Sequence, residues 1–132
     1  MEEQATLYKF LIHCKLHQIR EGFEASIRKL PYSVETHYAN LLQDGIMSEL
    51  KYDPHLVVLL QHDSDSDYLL PLKVKLFARH HPVLVVAPAI PDGYYNFLKI
   101  IGINHIVQLP AGDESICRTI TCIINGLTRG KP

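Results

Sequence analysis

The chain has 132 residues, a net charge of −1, and 20% charged against 47% hydrophobic residues, the balance of one ordinary globular domain. With no basic excess, nothing global draws it to nucleic acid or an anionic membrane; no apolar run reaches the roughly 20 residues of a membrane span, and the acidic start Met1-Glu2-Glu3 is unlike a signal peptide. The three cysteines, an odd number without close paired spacing, point to thiols in a reducing, cytoplasmic compartment rather than to a disulfide scaffold.

In chain order, Thr6 to His13 reads as a first strand. Gln18 to Leu30 reads as a helix, with Ile19, Phe23, Ile27 and Leu30 at helical spacing and Pro31 ending it. Tyr32 to Tyr38 alternates weakly and is expected as a second strand; Asn40 to Leu50 is expected as a short helix interrupted by Gly45. Leu56 to Leu60 is a continuous apolar run, the pattern of a strand covered on both faces. Asp67 to Arg79 reads as a helix with Leu69, Leu72 and Leu76 on one face and Pro71 in its first turn, where a missing N–H is tolerated. Pro82 to Ala87 is the next buried strand. Asp92 to Ile101 is a helix for which Gly102 supplies a C-cap. Ile106 and Val107 lie in a last strand. Glu114 to Leu127 is a last helix facing the core through Ile116, Ile120, Ile123, Ile124 and Leu127.

Strand and helix thus alternate five times. The pattern argues for a parallel sheet between two helical layers, joined by right-handed crossovers. The expected fold is a flavodoxin-like (βα)5 three-layer sandwich with strand order 2-1-3-4-5. Residues 1–127 form this unit, and residues 128–132 read as a tail or the start of a linker.

The segments PVLVVAP (82–88) and GINHIVQLP (102–110) look like the fourth and fifth strands of a response-regulator receiver domain, and the resemblance extends from about Leu7 to Leu127. In that family, acidic residues after the first strand hold Mg²⁺, an Asp ending the third accepts phosphoryl, a hydroxyl residue ends the fourth, and a Lys precedes the Pro of the fifth. Carboxylates suit a hard cation, and the cation and Lys neutralise the transferred group. Here Cys14 and Lys15 stand for the acidic pair, Gln61 for the acceptor, Ala87 for the hydroxyl residue, Leu109 for the Lys, and Ile106 for the family's aromatic switch residue. The resemblance therefore implies a degenerate pseudo-receiver that keeps the frame and has lost the phosphorylation chemistry.

Other patterns compete. His13-Cys14-x5-Arg20 satisfies the signature that tyrosine phosphatases resemble, in which the Cys thiolate attacks phosphorus and the Arg grips the oxygens. The residues between are bulky where a phosphate cradle needs Gly or small residues, and Glu21 follows Arg20. Asp63, Asp65 and Asp67 alternate like a calcium loop, yet Tyr68 and Val74 stand where its Gly and Glu belong. The eight histidines, including His80-His81, show no zinc spacing, and Cys117 and Cys122 share no helix face. Gly126 to Arg129 is similar to a cyclic-di-GMP motif of receiver-containing transcription factors, but lacks its leading aromatic ring and lies too early.

The expectation is a phosphorylation-independent regulatory module in signal transduction or transcription regulation, without enzymatic activity, cofactor or metal. It would work through a protein partner, foremost a second copy, and would not itself bind nucleic acid or membrane. Tyr94, Tyr95, Leu98 and Ile106 are the expected interface residues. A Cys-dependent phosphatase and a small-ligand sensor at the strand ends are the alternatives.

Overall fold

The structure, a computed structural model, describes residues 7–14, 17–41, 45–61, 69–78, 80–88 and 90–129. The elements are β1 (Leu7–His13), α1 (His17–Ile27), β2 (Ser33–Ala39), α2 (Ile46–Glu49) running into a 3₁₀ turn (Leu50–Tyr52), β3 (Leu56–Leu60), α3 (Leu69–Phe77), β4 (Val83–Ala87), α4 (Asp92–Ile100), β5 (His105–Gln108) and α5 (Asp113–Arg129). All strand pairs are parallel and the order is β2-β1-β3-β4-β5, the flavodoxin-like arrangement expected from the pattern.

Pleating splits the central strands between two cores, because successive side chains leave opposite faces. Phe10, Ile12, Leu56, Val58, Leu60, Leu84 and Val86 pack with Phe23 and Ile27 of α1 and Ile116, Ile120, Ile123 and Ile124 of α5. Leu11, Val57, Leu59, Val83 and Val85 pack on the other face with Ile46, Leu70, Val74, Tyr94 and Leu98 of α2, α3 and α4. β3 and β4 are buried throughout, while β2 alternates because it is an edge strand.

Three features differ from expectation. Of the helix expected over Asn40–Leu50, the described residues show Leu41 and Ile46–Glu49 as helical and a 3₁₀ turn from Leu50, with 42–44 outside the described residues; Gly45 at φ 86 stands immediately before Ile46, and Asp53 at φ 57 ends the turn. The leucines of α3 also distribute otherwise. Leu70, Pro71, Val74 and Ala78 face the core, whereas Leu69, Leu72 and Leu76 lie on the outward side. Finally, α5 continues to Arg129, so Thr128 and Arg129 belong to the helix rather than to a flexible exit.

The α4 terminus is built as expected. Gly102 adopts φ 96, its N–H donates to Lys99 O, and the Ile103 N–H donates to Leu98 O at 2.8 Å, the double closure of a Schellman motif.

Candidate functional site

A parallel sheet brings every strand's carboxyl end to one edge, where α/β proteins place their ligands. Cys14 follows β1, Gln61 follows β3, Ala87 ends β4 and Leu109 follows β5 at this edge. The Gln61 N–H donates to Val86 O and the Leu109 N–H to Ala87 O, each at 2.8 Å, so the strand ends are locked together beyond the ladder. Leu109 precedes Pro110 through a cis peptide bond. Lys15 and the loop 62–68, with Asp63, Asp65 and Asp67, lie outside the described residues.

The four described positions share the edge but not a cavity. A cavity of about 250 Å³ opens on the α1/α5 side, lined by Ile19, Gly22, Phe23, Leu60, Val86, Leu109, Ala111 and Ile116, with Ser26 and Asp113 on one wall. Cys14 packs against the same layer. Gln61 takes the opposite face: it is 2% exposed, and its Oε1 accepts a 2.6 Å hydrogen bond from the hydroxyl of Tyr94 in α4. Its Nε2 is buried without a hydrogen-bond partner among the described residues. The residue that β3 turns towards Leu109 is thus Leu60. A one-residue slip in reading the strand end exchanges faces.

The polar wall joins the two helices of that layer. Ser26 Oγ donates to Asp113 Oδ1 at 2.6 Å, Lys29 pairs with Asp113, and Cys117 Sγ donates to Ser26 O at 3.2 Å. The hydrogen bonds from Lys29 and Ser26 hold the Asp113 carboxyl below its usual range. Burial, and then the Asp113 charge, push the Cys117 thiol up, so it is protonated at neutral pH.

Arg20, the cation of the His-Cys-x5-Arg pattern, has its guanidinium carbon over the Tyr38 ring at 3.8 Å from the centroid, and Tyr38 in turn donates to Glu24 at 2.6 Å. Burial and that hydrogen bond raise the Tyr38 phenol well above its ordinary range. His13 is buried, with its Nδ1 accepting the Leu41 N–H at 3.0 Å. His55 Nδ1 accepts the Lys9 N–H, and His81 Nδ1 donates to Pro54 O. These rings tie loops to strands. Among the described residues no group of three His, Cys, Asp or Glu converges as a metal site. Gly126 to Arg129 falls inside α5.

Of the expected interface residues, Tyr94 and Leu98 require correction. They are 2% and 0% exposed and form part of the core, because they sit on the sheet-facing side of α4. Tyr95 is exposed, with Lys99 over its ring, and Ile106 on the edge strand β5 is half-buried. The inward Tyr94–Gln61 pair was not anticipated. Its signal was available in the sequence, since Tyr94 stands four residues before Leu98 on the apolar stripe of α4.

No protein-family model matches the sequence, and no curated protein matches it. Solved structures do match in shape. A LuxR family DNA-binding response regulator from Silicibacter pomeroyi superposes with a TM-score of 0.74 at 16% identity, over 90% of this chain and 93% of that one. Chemotaxis protein CheY4 of Vibrio cholerae gives 0.71 at 15% identity, covering 89% and 99%. The signal receiver domain of a modulated diguanylate cyclase from Desulfovibrio desulfuricans G20 gives 0.75 at 10% identity, covering 96% and 100%. The chain has the fold of a response-regulator receiver domain. At such identities the likeness is one of backbone, and the receiver fold here carries Leu60 or Gln61 at the end of β3, Ala87 at the end of β4 and Leu109 after β5.

Proposed function

We propose that this chain is a phosphorylation-independent receiver-fold module that regulates by protein contact, in signal transduction or transcription, without enzymatic activity of its own. The observation that carries the reading is the apolar strand-end cavity. Leu60, Val86 and Leu109 occupy the walls where phosphoryl transfer would need an acceptor carboxylate and a cation. Neither Leu60 nor Gln61 can form an acyl phosphate, so the reading survives either register of β3. Arg20, over the Tyr38 ring, is engaged in joining α1 to β2.

The unit extends through the end of α5 at Arg129, two residues beyond the expected bound of 127. It works in the cytoplasm, through a second copy, and without contact to nucleic acid or membrane. The self-contact we favour is the edge formed by α4, β5 and α5, to which Tyr95 brings an amphipathic ring and Ile106 an apolar side chain. Titration with beryllofluoride and Mg²⁺, followed by amide NMR and light scattering, is expected to leave spectra and mass unchanged. Saturable shifts around the strand ends would refute phosphorylation independence. A strict monomer at micromolar concentration would refute the self-contact.

The cavity also favours a second reading, a sensor of a small ligand. Its apolar walls would hold the body of such a ligand while Ser26 and Asp113 supply a few polar contacts. A ligand-dependent rise in melting temperature, lost in Leu109→Asp, would identify it.

A further inference from the structure

We propose that the outer face of α3, continued by the end of α4, docks an acidic amphipathic helix of another protein. The inference stands apart from the self-contact above, since α3 lies on the far side of α4 from Tyr95 and β5.

The segment Leu69–Phe77 contains only two polar residues, Lys73 and Lys75. A helix apolar on all sides is normally buried on all sides. This one covers the sheet with Leu70, Pro71 and Val74, yet Leu69, Leu76 and Phe77 remain half or more exposed, Leu76 at 64%. Leu69, Leu72 and Leu76 recur at i, i+3 and i+7, the spacing with which one helix meets another. The ends of α3 and α4 are neighbours: a Cβ on Gly102, just beyond α4, would lie 3.5 Å from Lys75 Cε. Ile100, on the last turn of α4, is 82% exposed. By helical angle it turns away from the core, so Leu72, Leu76 and Ile100 lie on the outward sides of the two helices.

Charge selects the occupant. Lys73 and Lys75 flank these outward leucines, and neither forms an ion pair with a carboxylate among the described residues. Lys75 and Lys99 together depress His105 from its ordinary range, after burial, so their positive field is felt beneath the helices. A symmetric contact between two copies would set these lysines against themselves. A partner helix with leucines on one side and glutamates flanking them satisfies both the exposed apolar face and the lysines beside it.

The probe is a fluorescein-labelled Leu/Glu amphipathic helix of about five turns, with a scrambled peptide of equal composition and a Leu/Lys counterpart as controls. Anisotropy should rise saturably with the Leu/Glu helix alone, and amide shifts should centre on α3 and the end of α4. Leu76→Asp and Ile100→Asp, at exposed positions and checked for unchanged melting temperature, should each weaken binding at least about tenfold, or 1.4 kcal/mol. Lys73→Glu combined with Lys75→Glu should weaken it and flatten its salt dependence. Absence of saturation up to about 1 mM, equal binding of the scrambled peptide, or indifference to Leu76→Asp overturns the proposal. So does self-association or binding to anionic vesicles that Leu76→Asp abolishes, which would assign the face to a second copy or to lipid.

Discussion

At the residue scale, the Tyr94–Gln61 bond is the most informative contact. A Gln at the end of β3 reads in the sequence as a lost acceptor; in the fold it is a buried partner for a buried phenol. Tyr94→Phe leaves Gln61 without its bonded donor and is expected to destabilise by about 1–2 kcal/mol. Gln61→Leu, which also removes the unpartnered Nε2, is expected to stay within about 1 kcal/mol of wild type. The double variant should then be less destabilised than the sum of the two singles, as read by urea unfolding. His105 gives a pH dependence. Burial first, then Lys99 and Lys75, lower its folded pKa below the ordinary 6.5. The unfolded chain therefore takes up the proton first, so the contribution of neutral His105 is complete above about pH 6.5 and is lost as pH falls through that value. Melting temperature should decline from pH 7 towards pH 5.5 less steeply in His105→Gln than in wild type.

At the scale of elements, the strands were legible where one residue type ran on and the helices where a stripe recurred. Leu56–Leu60 is buried throughout, as its uninterrupted run required, and Ile116, Ile120, Ile123 and Ile124 hold α5 to the sheet. The interruption of the segment before α2 was legible too, since Gly45 takes a positive φ that other residues adopt at a cost. The α3 leucines were legible as a stripe but not as an outward one; their period is the same whichever way the helix is turned. Two substitutions test the elements by unfolding in urea. Ile120→Ala, at a fully buried position, should cost about 2–5 kcal/mol. Gly102→Ala should cost about 1–2 kcal/mol, because φ 96 is strained for any residue with a Cβ.

At the scale of the whole molecule, the receiver frame separates two faces that a sequence cannot tell apart. If the edge of α4 and β5 joins two copies, Tyr95→Arg and Ile106→Glu should each reduce the mass found by light scattering to that of one chain, with melting temperature nearly unchanged for the exposed Tyr95 position. Leu76→Asp should leave that mass as it was. Alternation of apolar runs and stripes was enough to define five strands and to argue for their parallel pairing; the order 2-1-3-4-5 was expected only as the common solution for such a unit, and the fold decided it. The cavity of Leu60, Val86 and Leu109, the inward turn of Tyr94 and the outward turn of Leu76 were decided only in three dimensions. Each depends on which side of a strand or helix meets the core, and that choice is made by packing among residues far apart in the chain.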